Sequence, residues 1–255
     1  MERDAQPLAR MLQKLEMRAF LSEGDRKALL GLLHSRKVLE PSTYIIREGD
    51  PPVHCAVLLS GFAYRQKISG DGGRQILGIN VPGDMLDLQN LFLAISDHNV
   101  QTLTRAEVAF IPRPELQRLV RERPGVGHAL FIDTLAEASI TREWLLNVGR
   151  RDSRTRLAHL LCEFALRLEA VELAEDHGYE LPMTQEQLAD ATGLTPVHVN
   201  RMLKTLDLEG LVVREKRRVR IPDWQRMREV ADFSERYLHL DQREGTDSRA
   251  GPQQG

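Results

Sequence analysis

Cysteine is nearly absent from this chain, which has only Cys55 and Cys162 among its 255 residues. Two thiols in separate segments cannot build a disulfide framework, a thiolate zinc site or a four-cysteine iron–sulfur cluster within one chain. We therefore expect a protein of a reducing cytoplasm, with both cysteines acting as small core residues.

The sequence also lacks a long hydrophobic run and a strong excess of charge. No stretch of about 18 apolar residues is available to span a bilayer, and the first residues, MERDAQPLARMLQKLEM, are too charged for a signal peptide. The formal net charge of -2 argues against coating nucleic acid over the whole surface, although a local basic patch is compatible with it. With 42% hydrophobic residues the chain can bury the core of one large domain or two ordinary ones. We expect a globular cytoplasmic protein with no membrane partner.

Residue patterns typical of enzymes are missing as well. The sequence has no Gly-rich phosphate loop and no Ser-His-Asp arrangement with supporting context. His54, His98 and His128 form no pair at a ligand spacing on one element. We predict a protein with no catalytic site, no metal and no cofactor.

The pattern that is present changes near residue 38. From Leu8 to Leu33 apolar residues recur at helical spacing, and Ser22 is placed to cap a second short helix. From Val38 to Ile111 short apolar runs alternate with turn residues, which predicts an antiparallel sandwich or roll. Within it, SGDGG at Ser69–Gly73 indicates a hairpin. The residues at helical spacing in the first segment are Leu8, Leu12, Leu15, Phe20, Leu29, Leu30 and Leu33.

Two helices follow the predicted roll. A short helix comes after Pro112 and Pro114, and Pro124 is placed at the start of a longer helix that runs to about Val148. One stripe of the longer helix is apolar, which fits pairing with a second copy of the helix and fits packing within its own domain equally well. The stripe consists of Phe131, Leu135, Ala138, Leu145 and Val148. Burial on another side is required by Leu130, Ile132 and Trp144.

The segment from Met183 to Leu206 has the pattern of two helices separated by a break. Thr184 and Gln187 match a capping box, Gly193 supplies the break, and Thr195 with Pro196 opens the second helix. The buried face of that helix is predicted to consist of Val199, Met202, Leu203 and Leu206. The outward residues are Val197, His198, Asn200, Arg201 and Lys204.

Basic residues and a hinge flank this pair of helices. The motif GRRDS at Gly149–Ser153 predicts a hinge, with Asp152 or Ser153 capping a helix that extends through Leu173. The stretch GLVVREKRRVRIPDW predicts a hairpin with Lys216, Arg217 and Arg218 at its turn. These residues give a local excess of positive charge, which would attract phosphate groups. We predict a sensor domain with N-terminal helices at 1–120, the long helix and hinge at 121–150, the helical and basic unit at 151–240, and a flexible tail at 241–255.

This order of elements, with its REGD and VPGD turns and the stretch LPMTQEQLADATGLTPVHVNRMLKTLDLEGLV, resembles the Crp/Fnr family of bacterial transcription regulators over roughly Leu8 to Leu240. Gly49, Gly61 and Gly83 stand at the turn positions of that family's β-roll. The resemblance implies an α+β protein with an N-terminal cyclic-nucleotide-binding-like β-roll, a long dimerisation helix and a C-terminal winged helix-turn-helix.

The resemblance also implies how DNA is bound. The helix at 195–208 in each subunit of a homodimer would enter the major groove of a palindromic double-stranded site. Arg201 corresponds to an arginine that reads guanine, and Thr184, Thr195 and Lys204 correspond to phosphate contacts. RNA polymerase is a further candidate partner of the family type. The remaining candidates for DNA contact are Val197, His198, Asn200, Lys216, Arg217 and Arg218.

Two positions depart from the family pattern in this helix. Pro196 stands where some members have an arginine, and Val197 stands where many have a glutamate. A valine cannot accept a hydrogen bond from cytosine, but it can pack against a thymine methyl group. We therefore expect a half-site different from that of the best-known members.

The cyclic-nucleotide cassette of the family is altered in GDMLDLQNLFLAISDHNV. Asp87 and Leu88 stand where Gly and Glu bind the ribose, and His98 and Asn99 stand where Arg and Ser hold the phosphate. An aspartate that faces a phosphate with no arginine nearby repels it, which argues against cyclic AMP as a ligand. We expect a degenerate or altered effector pocket for an unidentified small molecule. Its candidate residues are Asp87, Gln89, His98, Asn99 and Thr141.

The alternative to this interpretation is a small-molecule or cyclic-nucleotide-responsive receptor. In that case the same pocket residues would bind the signal, and DNA binding would be strictly ligand-dependent.

Overall fold

The structure, a computed structural model, describes residues 6–240, so the predicted flexible tail at 241–255 lies outside the described residues. Helix α1 spans Ala9–Arg18 and α2 spans Glu23–Leu30. Ser22 caps α2 through a reciprocal pair of hydrogen bonds with Asp25, as the sequence predicts. Phe20 and Leu33 fit the helical spacing but are exposed, because they lie beyond the ends of the two helices.

The predicted antiparallel roll is formed by seven strands in two sheets. The strands are β1 Ser35–Leu39, β2 Tyr44–Ile46, β3 His54–Ser60, β4 Ala63–Ile68, β5 Arg74–Asn80, β6 Asn99–Thr102 and β7 Ala106–Pro112. One sheet has the strand order β1–β7–β3 and the other β2–β6–β4–β5. Strands β4 and β5 are joined by the predicted hairpin at Ser69–Gly73, where Gly72 has a φ of 87°.

Three glycines occupy the turns that the sequence assigns to them. Gly49, Gly61 and Gly83 have φ values of 88°, 75° and 94°, a region that other residues rarely adopt. At Gly61 a Cβ atom would also lie 2.3 Å from the Arg105 carbonyl oxygen. A side chain is therefore excluded there both by conformation and by space.

Within residues 6–240 the long helix is buried along one side. After α3, Arg113–Glu122, helix α4 runs for 27 residues as Pro124–Arg150. Leu130 and Trp144 are buried as predicted, while Ile132 is half-buried. The apolar stripe faces solvent in this single chain: Phe131, Leu135 and Leu145 are 61%, 51% and 70% exposed. Ala138 is also exposed and Val148 is half-buried.

The predicted hinge is shorter than its sequence motif. Helix α4 continues through Gly149 and Arg150, so that two residues separate it from α5, Ser153–Glu169. Asp152 caps α5, since its carboxylate accepts hydrogen bonds from the backbone N–H groups of Arg154 and Thr155. Helix α5 ends at Glu169 and does not reach Leu173. The arginine between the helices, Arg151, donates to Glu143 at 2.7 Å and to Asp232 at 3.1 Å.

The C-terminal unit packs around α5. A buried core that includes Leu161, Leu188 and Leu203 also contains Ile76 of β5 and Trp144 of α4. The unit is therefore packed against the roll and the long helix, and the division at residues 120 and 150 stays a prediction. Its further elements are β8 Gly178–Glu180, α6 Gln185–Thr192, α7 Pro196–Leu208, β9 Val213–Glu215, β10 Arg218–Arg220, α8 Trp224–Val230 and a 3-10 helix at Glu235–Leu238.

Both cysteines are core residues, as predicted. Cys55 lies in β3 and Cys162 in α5, and each is at most 1% exposed. Burial raises the pKa of the Cys55 thiol to about 12 and that of Cys162 above its usual range. Both side chains are therefore protonated thiols at neutral pH.

Membrane and metal sites can be assessed for residues 6–240. In this range no helix combines the length and the apolar character that crossing a bilayer requires. The same residues contain no group of three or more His, Cys, Asp or Glu side chains placed to hold a metal ion.

Candidate nucleic-acid interface and effector cavity

Helices α6 and α7 form the predicted helix-turn-helix. Thr184 and Gln187 make the complete capping box at the start of α6. Gly193 ends α6 with a φ of 63°, and the Thr195 side chain caps α7 by accepting a hydrogen bond from the His198 N–H at 3.3 Å. The local signals in the sequence are thus confirmed at both helix starts and at the break.

The two sides of α7 differ as the sequence predicts, with one exception. Val199, Leu203 and Leu206 are fully buried in the core. Met202 is half-buried and accepts a contact of 3.4 Å from the Ser153 hydroxyl, because α5 passes beside it.

The outward side of α7 carries the predicted contact residues. Val197 is 81% exposed, and Arg201 and Lys204 are also exposed. His198 and Asn200 are half-buried, and an Arg201 guanidinium nitrogen lies 3.2 Å from His198 Nε2. Three side-chain types therefore share one surface: a methyl pair, a guanidinium and an ammonium group.

The basic hairpin of β9 and β10 belongs to a three-stranded sheet that the sequence did not predict in full. Strand β10 pairs with β9 and with β8, so Arg218 lies across from both Glu215 and Glu180. Lys216, at the turn, has a φ of 56° and is exposed. Arg217 is exposed as well, and it donates to the Pro182 carbonyl at 3.1 Å. Arg218 faces acidic neighbours, which leaves Lys216 with the least compensated charge of the three.

The cassette residues Asp87 and His98 lie side by side in the interior of the roll. Asp87 is 1% exposed, and within residues 6–240 neither of its carboxylate oxygens has a hydrogen-bond partner. Burial raises the pKa of Asp87 to about 7. His98 Nε2 lies 3.9 Å from Asp87 Oδ1, and its Nδ1 lies 2.7 Å from Asp97. Burial lowers the pKa of His98, which favours its neutral imidazole at neutral pH, where Asp87 is close to half ionised.

A cavity of about 450 Å³ lies between the roll and α4. Of the predicted pocket residues, Gln89, His98 and Thr141 line it, whereas Asp87 and Asn99 do not. The Asn99 side chain instead accepts a hydrogen bond from the Glu48 N–H at 3.1 Å, which fixes the roll locally. The other lining residues are Arg65, Lys67, Gln75, Leu77, Asp97, Trp144, Leu145 and Val148.

Positive charge reaches this cavity from β4. The sequence argument assumed that no arginine lies near Asp87, and this is wrong, since Arg65 lines the cavity and its charge acts on Asp87. The arginine is already engaged, however: it donates to the Leu86 carbonyl at 3.0 Å and to Glu137 at 3.3 Å. Glu137 therefore offsets part of its charge, while its buried Nε has no hydrogen-bond partner among residues 6–240.

Comparison with known proteins identifies the family of this chain. A family model described as a cyclic nucleotide-binding domain matches residues 36–123, and one described as a Crp-like helix-turn-helix domain matches residues 155–230. The transcriptional activator protein FnrL of Cereibacter sphaeroides is 32% identical over 191 residues, which are 73% of this chain and 76% of FnrL. The chain belongs to the Crp/Fnr family.

Further similar proteins match about four fifths of this chain. A probable transcriptional activator of Rhizobium leguminosarum bv. viciae is 29% identical over 205 residues, 80% of this chain and 83% of that protein. The structure of FixK2 from Bradyrhizobium japonicum has a TM-score of 0.70 at 22% identity and covers 80% of this chain and 100% of FixK2. CLP of Xanthomonas campestris has a TM-score of 0.59 at 20% identity, covering 78% and 99%. At such identities the structural likeness bears on the fold alone.

Membership of the Crp/Fnr family confirms the predicted fold class and the DNA-binding character of the helix-turn-helix. The family consists of transcription regulators and not of enzymes.

Eight of the residues that line this cavity were missed from the sequence, among them two basic residues. Arg65 and Lys67 lie two positions apart on β4, so both point to one face of the sheet. This alternation is a signal that could have identified them. Gln75 on β5 and Trp144 on α4 have no comparable signal, because their place in the cavity depends on how the strand and the helix meet.

The raised pKa of Asp87 makes stability depend on pH. In the folded protein this carboxyl keeps its proton up to about pH 7, whereas in the unfolded chain it ionises near pH 4. The free energy of unfolding therefore falls as the pH rises between these two values. Asp87→Asn has the same size and no charge. We expect it to raise the free energy of unfolding by on the order of 2–4 kcal/mol at about pH 8, and to have little effect near pH 4. Urea unfolding across this pH range measures the difference, and an equal change at both pH values would contradict the assignment.

Proposed function

We propose that this chain is a homodimeric, sequence-specific transcription regulator that reads a palindromic DNA site through residues 195–208. The observation that carries the proposal is the outward side of α7, where Val197, Arg201 and Lys204 are exposed while the opposite side is fixed in the core. A helix held in this way can enter a major groove without rearrangement of its own domain. Similarity to FnrL, which is named a transcriptional activator, favours activation, with RNA polymerase as the protein partner.

Base reading is assigned to two side chains. The guanidinium of Arg201 can donate two hydrogen bonds to guanine O6 and N7. His198 accepts from this guanidinium at 3.2 Å when neutral, which limits the directions in which the arginine points. Val197 presents methyl groups one turn earlier and suits a thymine methyl. The half-site therefore combines a guanine with a thymine at neighbouring positions.

Phosphate contacts are assigned to the two caps and to the basic residues. The Thr184 hydroxyl oxygen accepts a hydrogen bond from the Gln187 N–H at 3.2 Å, and that of Thr195 accepts one from the His198 N–H at 3.3 Å. Each hydroxyl proton is therefore available for a phosphate oxygen. Both lie at helix N-termini, where the helix dipole favours an anion. Lys204, Lys216, Arg217 and Arg218 add positive charge on this surface, and Asn200 adds an amide that already contacts Gln185.

Dimerisation is assigned to the exposed stripe of α4. Phe131, Leu135 and Ala138 are separated by 4 and 3 residues, as in a coiled-coil seam, and Leu145 follows Ala138 by seven residues, one full heptad. Large apolar side chains left in water on a 27-residue helix are best explained by a second copy of the same helix. Two-fold symmetry then matches a palindromic site.

The effector cavity is assigned to a ligand other than cyclic AMP. His98 and Asn99 stand where the family's cassette has its phosphate-binding Arg and Ser, and Asp87 stands at a ribose-binding position. Arg65 is paired with Glu137. One observation favours the alternative of strictly ligand-dependent DNA binding, namely the cavity of about 450 Å³, which is large enough for a small molecule.

Replacing Arg201 tests direct reading of the DNA. Arg201→Ala should weaken binding to a selected site by about 1–3 kcal/mol and relax the preference for guanine at one position of each half-site. Lys204→Ala is the matched control, and it should weaken binding to all sequences alike and reduce the salt dependence. Fluorescence anisotropy over a set of single-base variants measures both. An unchanged base preference in Arg201→Ala would remove this residue from base reading.

Replacing Leu135 tests the seam. Leu135→Glu places two carboxylates in an apolar contact between subunits, so we expect the variant to sediment as a monomer of 29.0 kDa. Val53→Glu is the control, because Val53 is exposed to a similar degree but lies away from α4. A dimer that persists in Leu135→Glu would place the interface elsewhere.

Calorimetry with cyclic AMP tests the cavity assignment. We expect no binding with a Kd below about 100 µM. A Kd near about 1 µM would favour the cyclic-nucleotide-responsive receptor instead.

A further inference from the structure

The hairpin of β4 and β5 is bonded directly to the first helix of the helix-turn-helix. Arg74 Nε donates to Asp190 Oδ2 at 2.6 Å, and Glu186, one turn earlier on α6, lies 3.6 Å from the same guanidinium. The next residue, Gln75, donates from Nε2 to the Asp190 main-chain carbonyl at 2.7 Å. The Arg74 and Asp190 side chains are only 28% and 21% exposed, so this pair is shielded from solvent more than a surface ion pair is.

The same hairpin forms a wall of the effector cavity. Gln75 and Leu77 of β5 line the cavity together with Arg65 and Lys67 of β4. The Gln75 side chain therefore lies between the cavity and the Asp190 carbonyl. Any displacement of this wall by about 1 Å would stretch its 2.7 Å bond beyond hydrogen-bonding distance.

The opposite wall of the cavity is bonded to the C-terminal unit as well. Trp144 of α4 lines the cavity, and its indole N–H lies 3.0 Å from both carboxylate oxygens of Glu163 on α5. Both walls thus end in hydrogen bonds to the unit that carries α7.

The docked arrangement leaves the DNA-contacting side of α7 open to solvent. The bonds to Arg74 and Gln75 are made by α6, whereas Val197 and Arg201 lie on α7 and are exposed. The hairpin therefore fixes the direction of α7 without covering it.

We propose that the β4–β5 hairpin is a latch that holds the helix-turn-helix in its DNA-binding orientation and reports the state of the effector cavity to it through Gln75. This inference rests on the proposed DNA-binding function. In the latch, Arg74 and Gln75 are positioning residues, since they act on DNA binding only through α6.

Breaking the latch should loosen α6 and weaken DNA binding together. In Arg74→Ala we expect backbone hydrogen exchange in residues 74–80 and 185–192 to rise by about fivefold or more. Binding to the selected site should weaken by about threefold or more, with unchanged base preference. The reversed pair, Arg74→Asp with Asp190→Arg, should restore both values to within about twofold, because the ion pair is re-formed with opposite polarity.

A matched control separates the latch from a general loss of an ion pair. Arg36→Ala removes a 3.3 Å contact with Glu107 inside the roll and touches no residue of α6. It should change neither the exchange of residues 185–192 nor DNA binding. An Arg74→Ala protein with wild-type exchange and wild-type affinity would overturn the latch. If the wild-type protein binds no palindromic DNA, the proposed function fails, while the exchange measurement still decides whether the latch exists.

The link to the cavity is tested by two further variants. Gln75→Glu keeps the shape of the side chain but replaces its N–H donor by an anion that faces the Asp190 carbonyl. It should raise hydrogen exchange and weaken DNA binding as Arg74→Ala does. Gln75→Met, which removes the donor without adding charge, should have a smaller effect on both. Leu77→Trp fills part of the cavity. It should change DNA affinity by about threefold or more in the wild-type background and by less than about 1.5-fold in Arg74→Ala. Equal effects of Leu77→Trp in both backgrounds would overturn the coupling.

Discussion

One buried carboxylate, Glu163, joins the parts of the molecule that must act together. It is 2% exposed and accepts hydrogen bonds from Trp144 at 3.0 Å, Tyr237 at 2.9 Å and Arg167 at 3.3 Å. Arg167 also donates to Asp84, in the VPGD turn of the roll, at 3.1 Å. Removing one partner from such a buried charge pair costs about 3–5 kcal/mol. The long helix, the helix-turn-helix unit and the roll are therefore required to meet at this point.

This constraint gives α4 two different sides. The side with Trp144 is fixed by the carboxylate, and the roll and the C-terminal unit pack against it in one core. Among residues 6–240, the side with Phe131 and Leu135 is largely exposed, and in the proposed dimer it meets its symmetry mate. The cavity between the roll and α4 has walls that are hydrogen-bonded to the C-terminal unit. In the proposed mechanism, a ligand that displaces these walls reorients α7 without local unfolding.

The sequence was most informative where structure is decided within a few residues. The cap at Thr184, the left-handed Gly193 and the cap at Thr195 follow from local hydrogen bonding and backbone conformation, and the structure confirms them. The cavity was less accessible, because its walls come from strands and a helix far apart in the chain. Trp144 was missed for this reason, and so was Gln75, whose partner is a main-chain carbonyl that no side-chain pattern encodes.

Selection of DNA sites from a random pool by the wild-type protein is the most direct test of the account. A symmetric dimer with one α7 per half-site predicts enrichment of two inverted half-sites whose centres are separated by about 10–10.5 base pairs, each with a guanine placed for Arg201. Enrichment of single or directly repeated half-sites, or of no sequence at all, would contradict it.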